Sequence, residues 1–156
     1  MNVINFILGI IANLLIFFTP AYADSTSHGS LETPEVIIHL QEQGYTSIEE
    51  IVLNHDCYEA IVITAENKIT KLFIDAETNE IYDSKPIAKN SIKFHPAKLT
   101  MLEAVKKVEE AGYHHIYHIE LIDGKYEVKA LYKNEVSTEL NVDGNTGVLK
   151  KKWWFN

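Results

Sequence analysis

The chain has 156 residues, 46% hydrophobic and 23% charged, the balance of a folded globular protein and not of a disordered one. That length allows one ordinary domain or two very small ones. A formal net charge of −8, with no stripe of Lys and Arg, sets the surface against phosphate backbones and excludes nucleic acid as an expected partner.

From Val3 to Phe18 the residues are almost wholly apolar; Pro20 follows, and Ala21-Tyr22-Ala23 precedes Asp24 in the pattern of a signal-peptidase site. Residues 1–23 read as a secretory signal peptide, so the mature protein is expected to be exported, periplasmic before secreted. The n-region lacks Lys and Arg, and the rival reading is an uncleaved membrane anchor. The apolar run is shorter than the roughly 20 residues of a spanning helix. Residues 24–30 are small and polar and read as a flexible leader.

An internal repeat organises the rest. Gly44-Tyr45 falls on Gly112-Tyr113 at an offset of 68 residues, and the same register aligns Ile48 with Ile116, Ile51 with Ile119, Tyr58-Glu59 with Tyr126-Glu127, Asp75 with Asp143 and Thr78 with Thr146. Apolar, aromatic and turn positions coincide without a gap, which is the signature of duplication. The chain divides into a first unit over 31–83, a linker over 84–98, a second unit over 99–150 and an aromatic tail over 151–156.

Each unit opens with a helix. In the first, Thr33 precedes Pro34, a residue suited to the first helical turn, and Val36, Ile37 and Leu40 form an apolar face. In the second, Thr100 stands three residues before Glu103, the spacing of a capping box, and Leu102, Val105 and Val108 share a face. Gly44 and Gly112 end the helices. The apolar period then shortens to two. The first unit's strands are expected at Ile51–Leu53, Tyr58–Ala65, Ile69–Asp75 and Glu80–Tyr82. In the second, Asp123-Gly124 marks a tight hairpin between a strand at Ile119–Leu121 and one carrying Tyr126, Val128 and Ala130. Val136 to Val142 follow, with a short last strand at Val148–Leu149. The fold class is α+β: two repeated units, each a helix packed on a small antiparallel sheet of three to four strands. Asp75 and Asp143 open turns in which Asn79 and Gly147 hold matching places, so both aspartates read as turn formers and not as an acid–base pair.

The ordered set of helix, Gly-Tyr, Ile-x-x-Ile, a Tyr-Glu strand start and Asp-x-x-Thr-Gly resembles the PepSY domain. It stands here as EAGYHHIYHIEL, KYEVKA and NVDGNTGVL, and more loosely as EQGYTSIEEIVL, CYEAIV and FIDAETNEIY, with Asn79 in place of the usual Gly. The resemblance covers nearly all of the mature chain, once per unit. It implies an exported, non-enzymatic protein-binding module, of a kind found in peptidase propeptides, that inhibits or regulates a peptidase or another exported protein. A similar duplicated unit occurs in a secreted inhibitor of β-lactamase. The family carries no catalytic residues over to this chain.

No Gly-rich phosphate loop, GxSxG, HExxH or CxxC occurs, so neither enzymatic activity nor a cofactor is expected. His114, His115 and His118 are the sharpest metal-ligand cluster in the sequence, and they support the alternative of a periplasmic metal-binding or sensing protein. Their counterparts Thr46, Ser47 and Glu50 favour a solvated face instead. Cys57, the single cysteine, follows His55 and Asp56 in a turn; the acidic neighbour opposes a thiolate, and no internal disulfide can form. Ile61, Ile63, Ile69 and Phe73 predict an apolar outer face on the first sheet, covered either by the linker and tail or by a partner protein. Trp153, Trp154 and Phe155 are the expected anchors of such a contact, together with Ile61, Ile63 and Phe73. A membrane is expected to be touched only through the N-terminal segment.

Overall fold

A computed structural model describes residues 31–88, 96–133 and 135–152. The segment read as a signal peptide and leader, most of the linker's middle, and Trp153, Trp154 and Phe155 lie outside the described residues.

The first unit runs through α1 (Thr33–Glu42), β1 (Ser47–Asn54), β2 (Cys57–Ile63), β3 (Ile69–Asp75) and β4 (Ile81–Ile87). The second runs through α2 (Met101–Glu110), β5 (His114–Ile122), β6 (Lys125–Tyr132), β7 (Val136–Asp143) and β8 (Leu149–Lys151). The helices start and stop where the local chemistry requires. Thr100 Oγ1 accepts from the Glu103 N–H at 3.2 Å, and Glu103 Oε2 accepts from the Thr100 N–H at 2.7 Å, a reciprocal capping box. Gly44 (φ 91°) and Gly112 (φ 87°) take the left-handed conformation that ends each helix.

The expectation of two separate helix-on-sheet units is corrected by the strand order. All strands belong to one eight-stranded antiparallel sheet, β4-β3-β2-β1-β5-β6-β7-β8. Each unit's meander leaves its first strand as an edge, with a row of open N–H and C=O groups. Those two edges pair with each other: Glu50 faces Glu120, Ile51 faces Ile119 and Val52 faces His118. Ile51 and Ile119 are equivalent positions of the repeat, so the seam is isologous, as in a two-fold dimer written in one chain. β4 is also longer than expected and takes in residues 84–87 of the segment read as linker.

Both helices cover the same sheet face. Ile51, Ala60, Val62, Leu72 and Ile74 from the first unit join Ile119, Val128, Ala130, Leu140 and Val142 from the second in one core, closed by Val36, Ile37, Leu40, Val105 and Val108 from the helices. The Tyr-Glu tyrosines tie strand to helix start in the same way in each unit. Tyr58 Oη donates to the Leu31 carbonyl and Tyr126 Oη to the Leu99 carbonyl, each at 2.6 Å. Gly144 packs where a Cβ would lie 2.4 Å from the Gly124 carbonyl oxygen, and its own carbonyl accepts from the N–H groups of Lys98 and Leu99.

Two bulges shape the seam strands. Ile48 pairs with Val62 but Glu50 with Ile61, which leaves Glu49 as an extra residue in β1. In β5 the register shifts between His114, opposite Leu131, and His118, opposite Lys129, with His115 at φ 46°. A strict period of two would send residues three apart to opposite faces. The bulges are why Ile48 and Ile51, and Ile116 and Ile119, are all buried. A carbonyl in the β5 bulge, that of Ile116, accepts from the hydroxyl of fully buried Thr33 at the start of α1, a hydrogen bond between the two units.

Because the units share one sheet and one core, the chain is expected to unfold in a single transition. Thr33→Val would strand a buried carbonyl and cost about 1–3 kcal/mol, and Ile119→Ala about 2–5 kcal/mol. Urea denaturation followed by fluorescence and by circular dichroism checks both. Non-coincident transitions from the two probes would show the units to be independent.

Candidate functional site

The seam between the units has two faces, and the residues with unusual chemistry gather on them. On the helix side, a cleft of about 370 Å³ opens between the end of α1, the start of β1 and the approach to α2. Ser47, Glu49, Lys98, Thr100 and Tyr126 line it. The β1 bulge buries Glu49 to 8% exposure, with its carboxylate accepting from Ser47 Oγ at 3.0 Å. Burial pushes the Glu49 carboxyl above its ordinary 4.5, and the Ser47 hydrogen bond only partly opposes this. Burial also pushes the Tyr126 phenol up to about 12, with the negative charges of Glu49 and Glu103 adding to it.

On the opposite face no described helix packs, and charged side chains alternate across the strands. Lys71 pairs with Glu59 at 2.6 Å, and Lys152 bridges Glu127 at 3.3 Å and Glu139 at 3.8 Å. At the seam itself His118 Nε2 lies 3.3 Å from Glu50 Oε1 and 3.9 Å from Glu120 Oε2. Burial and the neighbouring Glu50 charge push the Glu120 carboxyl up, while His118 opposes this.

The three histidines singled out from the sequence are not brought to one point. His114 Nε2 stands 3.3 Å from Glu135, His115 Nδ1 3.3 Å from Glu32, and only His118 reaches the seam. The bulge between His114 and His118 separates their surroundings. Glu50 and Glu120 were not legible as partners of His118. The available signal was His118-x-Glu120, two residues apart in a strand and so on one face; Glu50 joins them only through strand pairing.

The expected bare apolar face of the first sheet is also corrected. Cross-strand neighbours interleave it with charge: Lys71 lies opposite Ile61 and Glu59 opposite Phe73. Ile63 and Ile69 face each other and are buried at 9% and 3% exposure, while Ile61 and Phe73 stay half-buried. Lys85 sits over the Phe73 ring at 4.5 Å, and Tyr82 beside it is 60% exposed. Cys57 is half-buried at the start of β2, its Sγ 3.5 Å from the Asn54 carbonyl.

Asp75 and Asp143 are turn formers, as the sequence indicates. Asp75 Oδ1 accepts from the N–H groups of Glu77 and Thr78 and from the Thr78 hydroxyl. Asp143 repeats the set with Asn145 and Thr146. These bonds to the ionised form hold both carboxyls below their ordinary range, with Thr78 and Thr146 the leading donors.

A family model described as "Peptidase propeptide and YPEB domain" matches residues 7–85 and again residues 91–153. The chain therefore belongs to the PepSY family and carries the domain in tandem. That family is one of propeptide- and inhibitor-like modules, typically found in exported proteins. No curated protein and no solved structure matches the chain. Among the described residues no helix is long and apolar enough to cross a membrane.

The carboxyl shifts give opposite pH dependences. Glu49 binds its proton more tightly folded than unfolded, so its ionisation lowers stability as pH rises from about 4.5 through its raised value. Glu49→Gln should raise stability at pH 7 and leave it nearly unchanged at pH 4. Asp75 and Asp143 are held below their unfolded value, so their contribution is present above about pH 4 and disappears as pH falls through the lowered values. Asp143→Asn should flatten that acid limb. Urea midpoints between pH 3 and pH 8 check both.

Proposed function

We propose that this chain is an exported, non-enzymatic binding module that engages another exported protein, a peptidase being the expected class. The observation that carries this reading is the division of the sheet. Both helices lie on one face, and across eight strands no described helix covers the other. Membership of a family of propeptide- and inhibitor-like modules points the same way.

The contact is best placed on the β2-β3-β4 half of that face. Phe73, Ile61 and Tyr82 supply apolar and aromatic surface, and Lys71, Lys85, Glu59 and Asp83 surround it with charge. An aromatic and aliphatic centre inside a polar rim is the anatomy of a specific protein contact. Trp153, Trp154 and Phe155 follow directly on Lys152, which is held to the sheet by its N–H to the Glu139 carbonyl at 2.9 Å. They are further candidate anchors. The module needs no cofactor in this role, and the N-terminal segment serves export.

Exported peptidases of the producing cell, assayed with and without the mature chain of residues 24–156, test the reading. Saturable inhibition or tight binding of one of them is expected. Phe73→Ala with Ile61→Ala should weaken it at least tenfold with little change in Tm, since both side chains are only half-buried. No effect on any of these enzymes, or binding indifferent to the β2-β3 face and to the loss of the tail, would reject it.

A further inference from the structure

We propose that Glu50, His118 and Glu120 form a divalent transition-metal site, of the kind zinc occupies, on the open face of the seam. The ligand atoms of the three side chains all lie within 4.8 Å of one another. Metal–ligand bonds of about 2.0–2.2 Å in a tetrahedral array place ligand atoms about 3.4 Å apart. The 3.3 Å between His118 Nε2 and Glu50 Oε1 already meets this, and the 3.9 Å to Glu120 Oε2 is close to it.

Two features of the group favour a cation at this point. Glu50 and Glu120 are directly opposite each other across β1 and β5, a like-charge pair that destabilises a sheet, and the His118 ring stands against both. Among the described residues neither carboxylate is paired with a lysine. Lys129 faces His118 from β6 and Glu127 faces Glu120, but Lys129 reaches neither seam carboxylate with an ion pair. The second feature is His118 Nε2 itself. It is shut off from solvent and makes no hydrogen bond of acceptable geometry, although a carboxylate oxygen is close. A buried ring nitrogen without a hydrogen bond is costly unless something else occupies its lone pair.

The donor set defines the metal class. An imidazole with two carboxylates suits zinc, cobalt, nickel or manganese, whereas magnesium and calcium favour all-oxygen shells with more ligands. Three protein ligands leave a fourth position open to water or to a donor from outside. The repeat accounts for three ligands and not four. Glu50 and His118 are equivalent positions, and the equivalent of Glu120 is Val52, so the place where a fourth seam ligand would stand holds an aliphatic residue.

Isothermal titration of the full metal-free chain with zinc chloride, and its Tm with and without zinc, test the site. The expected result is one saturable zinc per chain with a raised Tm, and no comparable response to magnesium. Glu120→Gln removes a ligand and also relieves the Glu50 repulsion, so that variant should fold at least as well as the parent and bind zinc at least about tenfold more weakly. His118→Ala should abolish the Tm response, and His114→Ala with His115→Ala should preserve it. Absence of saturable binding, retention of binding in Glu120→Gln and His118→Ala, or its loss in the His114/His115 double variant would each overturn the proposal.

Discussion

The structure depends on the pairing of β1 with β5. Each unit alone is a helix and a four-stranded meander of about 50 residues, a size at which a separate core is marginal. Its first strand, which carries fully buried Ile51 or Ile119, would be an open edge. Joining the two edges through Ile51 and Ile119 removes both exposed edges from the middle of the molecule and merges two small cores into one. The outermost strands of the described sheet are β4, which carries Pro86 and charged Asp83 and Lys85, and the three-residue β8. Both have features that resist further strand addition.

The bulges follow from the same constraint. A seam strand must present Ile48 or Ile116 to the helix above it and Ile51 or Ile119 to the centre of the core. Three-residue spacing cannot satisfy both in a regular strand, and the bulges, one extra residue in β1 and two in β5, restore the facing. That displacement has chemical consequences. It buries Glu49 beside the cleft, frees the Ile116 carbonyl for Thr33, and parts His114 from His118. Buried Glu49 and the separation of His114 from His118 therefore follow from the irregular register of the seam strands.

Charge is distributed in step with this division of faces. The helix side is apolar with isolated polar groups, each answered by a hydrogen bond such as Tyr58 to Leu31 or Thr33 to Ile116. The open side is a lattice of Lys and Glu across strands, interrupted at one end by Phe73 and Tyr82 and at the seam by the Glu50-His118-Glu120 group. A face of that kind stays solvated without a cover and still offers localised places where a protein or an ion can bind.

Local signals in the sequence determined the parts. The capping box at Thr100 and Glu103, the helix-ending Gly44 and Gly112, the Asp123-Gly124 hairpin and the Asx-turns at Asp75 and Asp143 all depend on residues within a few positions of one another, and the repeat made the helix-ending glycines and the Asx-turns legible twice. The family was legible for the same reason. Tertiary structure alone decided that the two units share a sheet, because edge pairing is a contact between backbones 68 residues apart and leaves no periodic trace in side chains. It likewise decided that His118 belongs with Glu50 and Glu120 and not with His114 and His115: proximity along the chain says nothing about neighbours across a strand, and a bulge had already turned the adjacent histidines elsewhere.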